Sequence, residues 1–387
     1  MTRSILISSD SHIIEPPDLW LERIDKPFRD RAPRVVREET GDWWMIDGKR
    51  SMSFLGVQTG DRFEKDATEL VIEGHFEDVR PAAYEPRRYI EENREDGIEA
   101  SVLYPSEALL AYGIPDPGLC SATMRAYNDF IAEFCSEDPL RLKGIALLNV
   151  DDPVEAVGEM KRCREKGLAG AMITVLPLAD RSYDHPMYEP LWSAAGDLGM
   201  PLSMHVATGR AALSVDAKQQ TVREVKESAF YLQDHFVRKS IGEMIFAGVF
   251  ERHPGLRVGS VEHEIAWAPF FLFQMDYTYT ERPLRGSWHR FADPEARPSD
   301  FFKRQCFVSF QEDAIGIRER DTLGADTLMW GSDYPHTEST FPRSREILDE
   351  ILSGVSAAER AAITCDNVAR LYGFDVAALE ADAKSPQ

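Results

Sequence analysis

Four short runs of this sequence end on side chains that can bind a cation or move a proton. They are Asp10-Ser11-His12, His205 closing Pro201-Leu202-Ser203-Met204-His205, Val261-Glu262-His263-Glu264, and Gly331-Ser332-Asp333-Tyr334-Pro335-His336. On a strand, residues i and i+2 share a face, so Asp10 and His12 point the same way. A carboxylate and an imidazole that converge can hold a divalent metal. His205 ends an apolar run, where a buried imidazole must find a partner. Glu262 and His263 fall on opposite faces of a strand, so one or the other is expected to face the site. Asp333 follows Gly331, which permits close backbone approach. His336 is placed to orient Asp333. Arg210, just past His205, is a candidate for holding a substrate carboxylate. Each residue alone has an ordinary explanation, such as a histidine bonded to backbone. Their joint position, always at the end of an apolar run, does not.

The runs themselves suggest the scaffold. Apolar stretches at 4–10, 100–104, 143–150, 169–175, 202–207, 257–263, 306–310 and 327–333 are five to eight residues long. That is the form of strands buried on both faces of a parallel sheet. Helical patterns lie between them: 85–96, 122–137, a helix opened by Asp152-Pro153, 190–198, a long pattern at about 222–250, and a capping box at Ser356-Ala357-Ala358-Glu359. Strands alternating with helices in this number predict a (β/α)8 TIM barrel. A doubly wound sheet is disfavoured, because Ser11-His12-Ile13-Ile14-Glu15-Pro16 lacks the glycine-rich turn expected after a first strand. In a closed barrel the first and eighth strands are neighbours, which brings Asp10, His12 and Asp333 together. We expect one domain over 1–380 and a flexible tail at 381–387. Insertions at 16–84 and 270–302, both rich in aromatic residues, are expected near the barrel mouth as pocket walls or as a satellite cluster.

Composition narrows the function. The chain has 387 residues, with 44 Lys+Arg against 66 Asp+Glu, a net charge of −22. Such a surface repels phosphate backbones and anionic lipid, so neither nucleic acid nor membrane is expected as a partner. No apolar stretch reaches the length of a membrane span, and the N-terminus lacks the features of a signal peptide. The five cysteines are scattered and form no C-x-x-C, which argues against a disulfide framework or a thiolate metal site. The expectation is a cytoplasmic enzyme of small molecules, a homodimer or larger homo-oligomer, with reduced thiols.

Asp-x-His on strand one, His on strands five and six and Asp on strand eight resemble the ligand order of the amidohydrolase superfamily. More narrowly, the chain is similar to the branch that contains aminocarboxymuconate semialdehyde decarboxylase. Gly248-Val249-Phe250-Glu251-Arg252-His253-Pro254 and Trp267-Ala268-Pro269 carry the resemblance together with the first and last motifs. The superfamily more often has His-x-His where this chain has Asp10-Ser11-His12. The fourth strand lacks the lysine that bridges two metals elsewhere, and His263 stands where many branch members have serine. The resemblance implies a divalent ion, zinc, iron or manganese, on Asp10, His12, His205 and Asp333, with His263 or Glu262 as further ligands. A second ion would sit on His205 and His263, with Asp10, Glu262 or Asp333 bridging.

Two reactions suit such a centre. In the first, a metal-bound water, its pKa lowered to about 7, attacks an amide, ester, lactone or thioester. Asp333 takes the water proton and His263 stabilises the oxyanion. In the second, the metal chelates a substrate carboxylate, and Asp333 or His263 protonates carbon as carbon dioxide leaves. We take hydrolysis of a bulky, partly apolar substrate as the main expectation and non-oxidative decarboxylation as the alternative. A non-catalytic binding barrel is the minor one.

Overall fold

The computed structural model describes residues 5–54, 61–70, 73–210 and 228–383. The strands are β1 (Leu6–His12), β2 (Arg34–Arg37), β3 (Asp42–Ile46), β4 (Lys49–Ser53), β5 (Ile98–Tyr104), β6 (Leu142–Leu147), β7 (Gly170–Ile173), β8 (Leu202–His205), β9 (Val258–Val261), β10 (Cys306–Phe310) and β11 (Leu328–Trp330). Eight of them form one sheet in the order β1-β5-β6-β7-β8-β9-β10-β11, with parallel pairing throughout. β11 returns to β1: Asp333 N–H donates to Asp10 O at 3.0 Å and His12 N–H to Tyr334 O at 2.6 Å. This is the (β/α)8 barrel, with helices between the strands.

All eight apolar runs form barrel strands. Their ends differ from the sequence reading. β1 continues to His12, whereas β9 stops at Val261 and β11 at Trp330. The backbone turns left-handed at Glu262 (φ 62°) and Asp333 (φ 59°), conformations that a ladder cannot accommodate. The long helical pattern at 222–250 is broken into Ser228–Tyr231, Asp234–Phe246 and Val249–Arg252, and its first residues lie outside those described. The helix Val376–Ala383 carries the C-terminal segment further than expected, with Asp382 paired to Arg141, so order extends into the anticipated tail.

The 16–84 insertion builds an antiparallel sheet, β2-β3-β4, beside the barrel. A line of aromatic rings holds it there: Trp20 on Trp44 (4.8 Å between centroids), Trp44 on Phe54 (5.3 Å), Phe54 on Phe76 (5.1 Å) and Phe76 on Tyr84 (4.8 Å). Most of the insertion is therefore a satellite core. The other insertion departs from expectation. About half of 270–302 is barrel helix, Ala268–Glu281 and the start of Pro298–Gln305, and the link between them is irregular. That link follows the end of a helix running away from the strand C-termini. His289 N–H donates to Phe246 O (2.9 Å), and Phe291 stacks on Tyr279 (4.7 Å). It covers the far end of the barrel rather than the mouth.

Candidate metal centre

The ends of β1, β8 and β9 bring Asp10, His12, His205 and Glu262 together, each offering a ligand atom within 4.8 Å of the others. His12 Nε2 lies 3.5 Å from Asp10 Oδ1, and His205 Nε2 lies 3.6 Å from Asp10 Oδ1 and 3.1 Å from Glu262 Oε2. Asp333 joins through His12, with its Oδ1 3.2 Å from His12 Nε2, and forms a second group with His12 and His336. Ligands bound to one cation at ordinary oxygen and nitrogen distances sit about 3.0–3.5 Å apart.

The donor atoms fit a divalent cation. Asp10 Oδ1, His12 Nε2, His205 Nε2, His263 Nε2 and Asp333 Oδ1 are all buried and have no hydrogen-bond partner. Such groups are costly unless a charge meets them. The imidazoles are also oriented for it. His12 Nδ1–H donates to Pro105 O (2.7 Å) and His205 Nδ1–H to Val206 O (3.1 Å). A carbonyl can only accept, so each Nε2 is left with its lone pair facing the cluster.

Crowding of like charge points the same way. Desolvation, with Asp333 and Asp10 beside it, pushes Glu262 well above the usual carboxylate range. A cation would relieve that repulsion. Burial also opposes charge on Asp333, but His336 and His12 outweigh it and hold this carboxyl well below its ordinary range. Burial pushes His263 down to about 3, helped by His205, so it is neutral at pH 7. His263 Nδ1 pairs with Ser260 Oγ at 3.1 Å.

Glu262 and His263 do not divide between two faces. The strand has ended at Val261, and with Glu262 in a left-handed conformation the alternation lapses. Glu262 reaches His205, while His263 is buried with Nε2 unpaired. His336 meets Asp333, Nδ1 to Oδ1 at 2.9 Å, and stacks on His12 with centroids 3.8 Å apart. Arg210 is corrected: it is neither a surface group nor available to a substrate. Its side chain is buried, pairs with Asp151 and donates to the carbonyls of Tyr112 and Ile114, both at 2.6 Å.

Two supports were not read from the sequence, and a third, Gly331, was read there only as permitting close approach. Ser106 Oγ meets His336 Nε2 at 2.9 Å from a position 230 residues away. A Cβ on Gly331 would lie 2.6 Å from Asp10 Cβ, so close approach is needed here to seat Asp10. Glu15 accepts from the N–H groups of Glu107 (2.9 Å) and Ala108 (3.0 Å), fixing the loop that supplies Pro105 O and Ser106. Only the neighbourhood of Glu15, inside the first motif, hinted at this.

Glu15 also yields a pH prediction. Burial pushes its carboxyl up to about 7, against the lowering by those N–H groups. The folded state therefore binds its proton more tightly than the unfolded chain, and stability is lost as pH rises from about 4.5 to 7. The contribution is about 3 kcal/mol. Urea unfolding of metal-free protein should show the stability gap between wild type and Glu15→Gln shifting by that order between pH 5 and 8. A gap independent of pH would show that Glu15 is not the group.

Comparisons with known proteins give the family. The chain matches the Amidohydrolase family over residues 111–374 and belongs to it, an enzyme of the amidohydrolase superfamily. It is 27% identical over 308 residues to gamma-resorcylate decarboxylase of Rhodococcus jostii (strain RHA1), covering 73% of this chain and 85% of that one. It is 26% identical over 277 residues to 2-amino-3-carboxymuconate-6-semialdehyde decarboxylase of Dictyostelium discoideum, covering 69% and 71%. Among solved structures it resembles an amidohydrolase from Mycobacterium avium subsp. paratuberculosis K-10, with a TM-score of 0.79 and 20% identity over 96% of this chain and 100% of that one. It also resembles a dihydroxybenzoic acid decarboxylase from Polaromonas sp. JS666 with bound manganese and 2-nitroresorcinol. There the TM-score is 0.63 at 18% identity over 96% and 97%. Among the described residues no helix is long and apolar enough to cross a membrane.

These relatives overturn the expectation of acyl hydrolysis, since those with a named reaction are decarboxylases. The preference for hydrolysis rested on broad aromatic loops at the mouth, and on the sequence showing no obvious cluster of arginines to fix a small dicarboxylate. One of those loops lies at the other end of the barrel and the other is mostly a packed satellite core.

Proposed function

We propose that this protein is a metal-dependent, non-oxidative decarboxylase of an aromatic or similarly unsaturated carboxylic acid. The observation that carries the reading is the set of five buried, unpartnered donor atoms, on a chain whose curated relatives are decarboxylases. Asp10, His12, His205 and Asp333 would hold a divalent cation, with Glu262 beside them. Such an ion supplies positive charge that fixes and polarises an anionic substrate. Manganese is the first ion to try, because a neighbouring structure contains it.

The chain's own residues supply the proton. A line of close contacts runs from Ser106 Oγ, hydrogen-bonded to His336 Nε2, to the ion-pair contact of His336 Nδ1 with Asp333 Oδ1, with 2.9 Å at each step. A proton passed along it arrives on Asp333, which delivers it to the carbon bearing the carboxylate. The bond from that carbon to the carboxyl then breaks. Its electron pair stays on the carbon and carbon dioxide leaves. An electron-releasing hydroxyl beside the carboxyl would favour protonation there. Neutral His263, with Nδ1 accepting from Ser260, offers Nε2–H to the substrate carboxylate. Burial keeps bulk water from competing at these atoms.

Manganese-loaded protein should convert a dihydroxybenzoate or carboxyvanillate in heavy water to a product carrying one deuterium at the vacated carbon, with one carbon dioxide released. Proton NMR reads both substrate loss and label position. Metal-dependent cleavage of esters or lactones, with no loss of carbon dioxide from a panel of aromatic and muconate-type acids, would overturn the reading.

A further inference from the structure

The far end of the barrel carries a feature that the metal centre does not explain. A cavity of about 580 Å³ opens at the N-terminal ends of β8–β11, lined among others by Arg257, Lys303, Arg304 and Arg370. Its volume falls within the range of ordinary small-molecule sites. The strands it underlies are three to five residues long, which puts it on the order of 10–17 Å from the metal centre.

What sets these cations apart is that four of them share one cavity in an acidic chain. The net charge is −22, and most cations elsewhere are matched, as in Arg23–Glu133, Arg37–Glu77 and Arg252–Glu189. None of the four cavity cations forms an ion pair among the described residues. Arg257 donates to the carbonyls of Pro254 and Leu256, both at 3.0 Å, Arg304 to Gln305 Oε1 at 3.0 Å, and Arg370 to Asn367 Oδ1 at 2.9 Å. One carboxylate, Asp326, shares the wall. Behind the cations the surface is apolar and buried, with Met200, Phe307 and Met329. Four like charges around one cavity repel one another, and an anion between them relieves the repulsion.

We propose that this cavity is a second, non-catalytic binding site for an organic phosphate. The phosphate would lie among Arg257, Lys303, Arg304 and Arg370, and an aromatic or otherwise apolar body would lie against Phe307 and Met329. An apolar floor under a cationic rim selects against inorganic phosphate, which leaves the floor wet, and against a neutral aromatic, which leaves the rim unmatched.

Calorimetric titration of manganese-loaded protein with 1-naphthyl phosphate tests it. Binding is expected to be at least ten-fold tighter than that of inorganic phosphate or 1-naphthol, and to weaken with added salt. Lys303→Gln/Arg370→Gln, two exposed positions, should weaken it at least ten-fold with the melting temperature unchanged. Asp10→Asn/His12→Asn, which disables the metal centre, should leave it unchanged. The opposite pattern, with affinity lost in the metal-centre variant and kept in the cation variant, would place the ligand at the catalytic end and overturn the proposal. No detectable binding at millimolar 1-naphthyl phosphate would overturn it too.

Discussion

Asp333→Asn is expected to leave the barrel folded and to lower kcat by at least about 10²–10⁴-fold, the usual contribution of a positioned proton-transfer group. Asparagine keeps the shape of the side chain but can neither accept the proton from His336 nor pass it on. Asp333 is the carboxyl on which the line from Ser106 through His336 converges, and its ionised form is held by His336 and His12. Loss should fall on kcat more than on KM if the residue moves a proton, and on metal content as well if it also binds the ion. Steady-state kinetics, circular dichroism and elemental analysis of the same preparation separate these effects. Near-native kcat in the variant would remove Asp333 from the mechanism.

Removing the metal should have the larger effect, eliminating measurable turnover. Chelation leaves the buried ligand atoms of Asp10, His12, His205 and Asp333 without a cation, so it should also destabilise the fold. An ion at 100 times its dissociation constant stabilises the folded state by about 2.7 kcal/mol. The melting temperature should therefore fall on chelation and recover when manganese is restored. His205→Asn should mimic chelation, because it removes an Nε2 that faces both Asp10 and Glu262. The check is ions per chain in protein purified without added metal. Stoichiometric metal in His205→Asn, or full activity after exhaustive chelation, would refute this centre.

The sequence alone was enough to locate the barrel and its polar strand ends, for a local reason. Buried parallel strands are short apolar runs, and a side chain able to bind a cation at the end of such a run is visible without knowing its neighbours. Asp10, His12, His205 and Asp333 were legible on that basis. So was Gly331, whose closeness to Asp10 follows from the adjacency of β1 and β11 in a closed barrel.

What was not legible depends on contacts between distant residues or on backbone turns that no pattern announces. Whether Glu262 or His263 faces the centre was framed as a question of strand register, but the left-handed turn at Glu262 ends the strand first. Arg210 looked free because Asp151, its partner, is 59 residues away. The proton line needed Ser106 and His336 to meet across 230 residues. The aromatic residues of 270–302 suggested a place near the mouth, as pocket wall or satellite cluster, but which end of a barrel a segment covers is decided by the direction its helix runs, and this helix runs away from the mouth. Residue type and spacing could place a metal at one end of the barrel. Only the packed structure decided which groups line that candidate centre and collected, at the opposite end, four cations with no ion pair among the described residues, because charge matching is a property of space and not of sequence order.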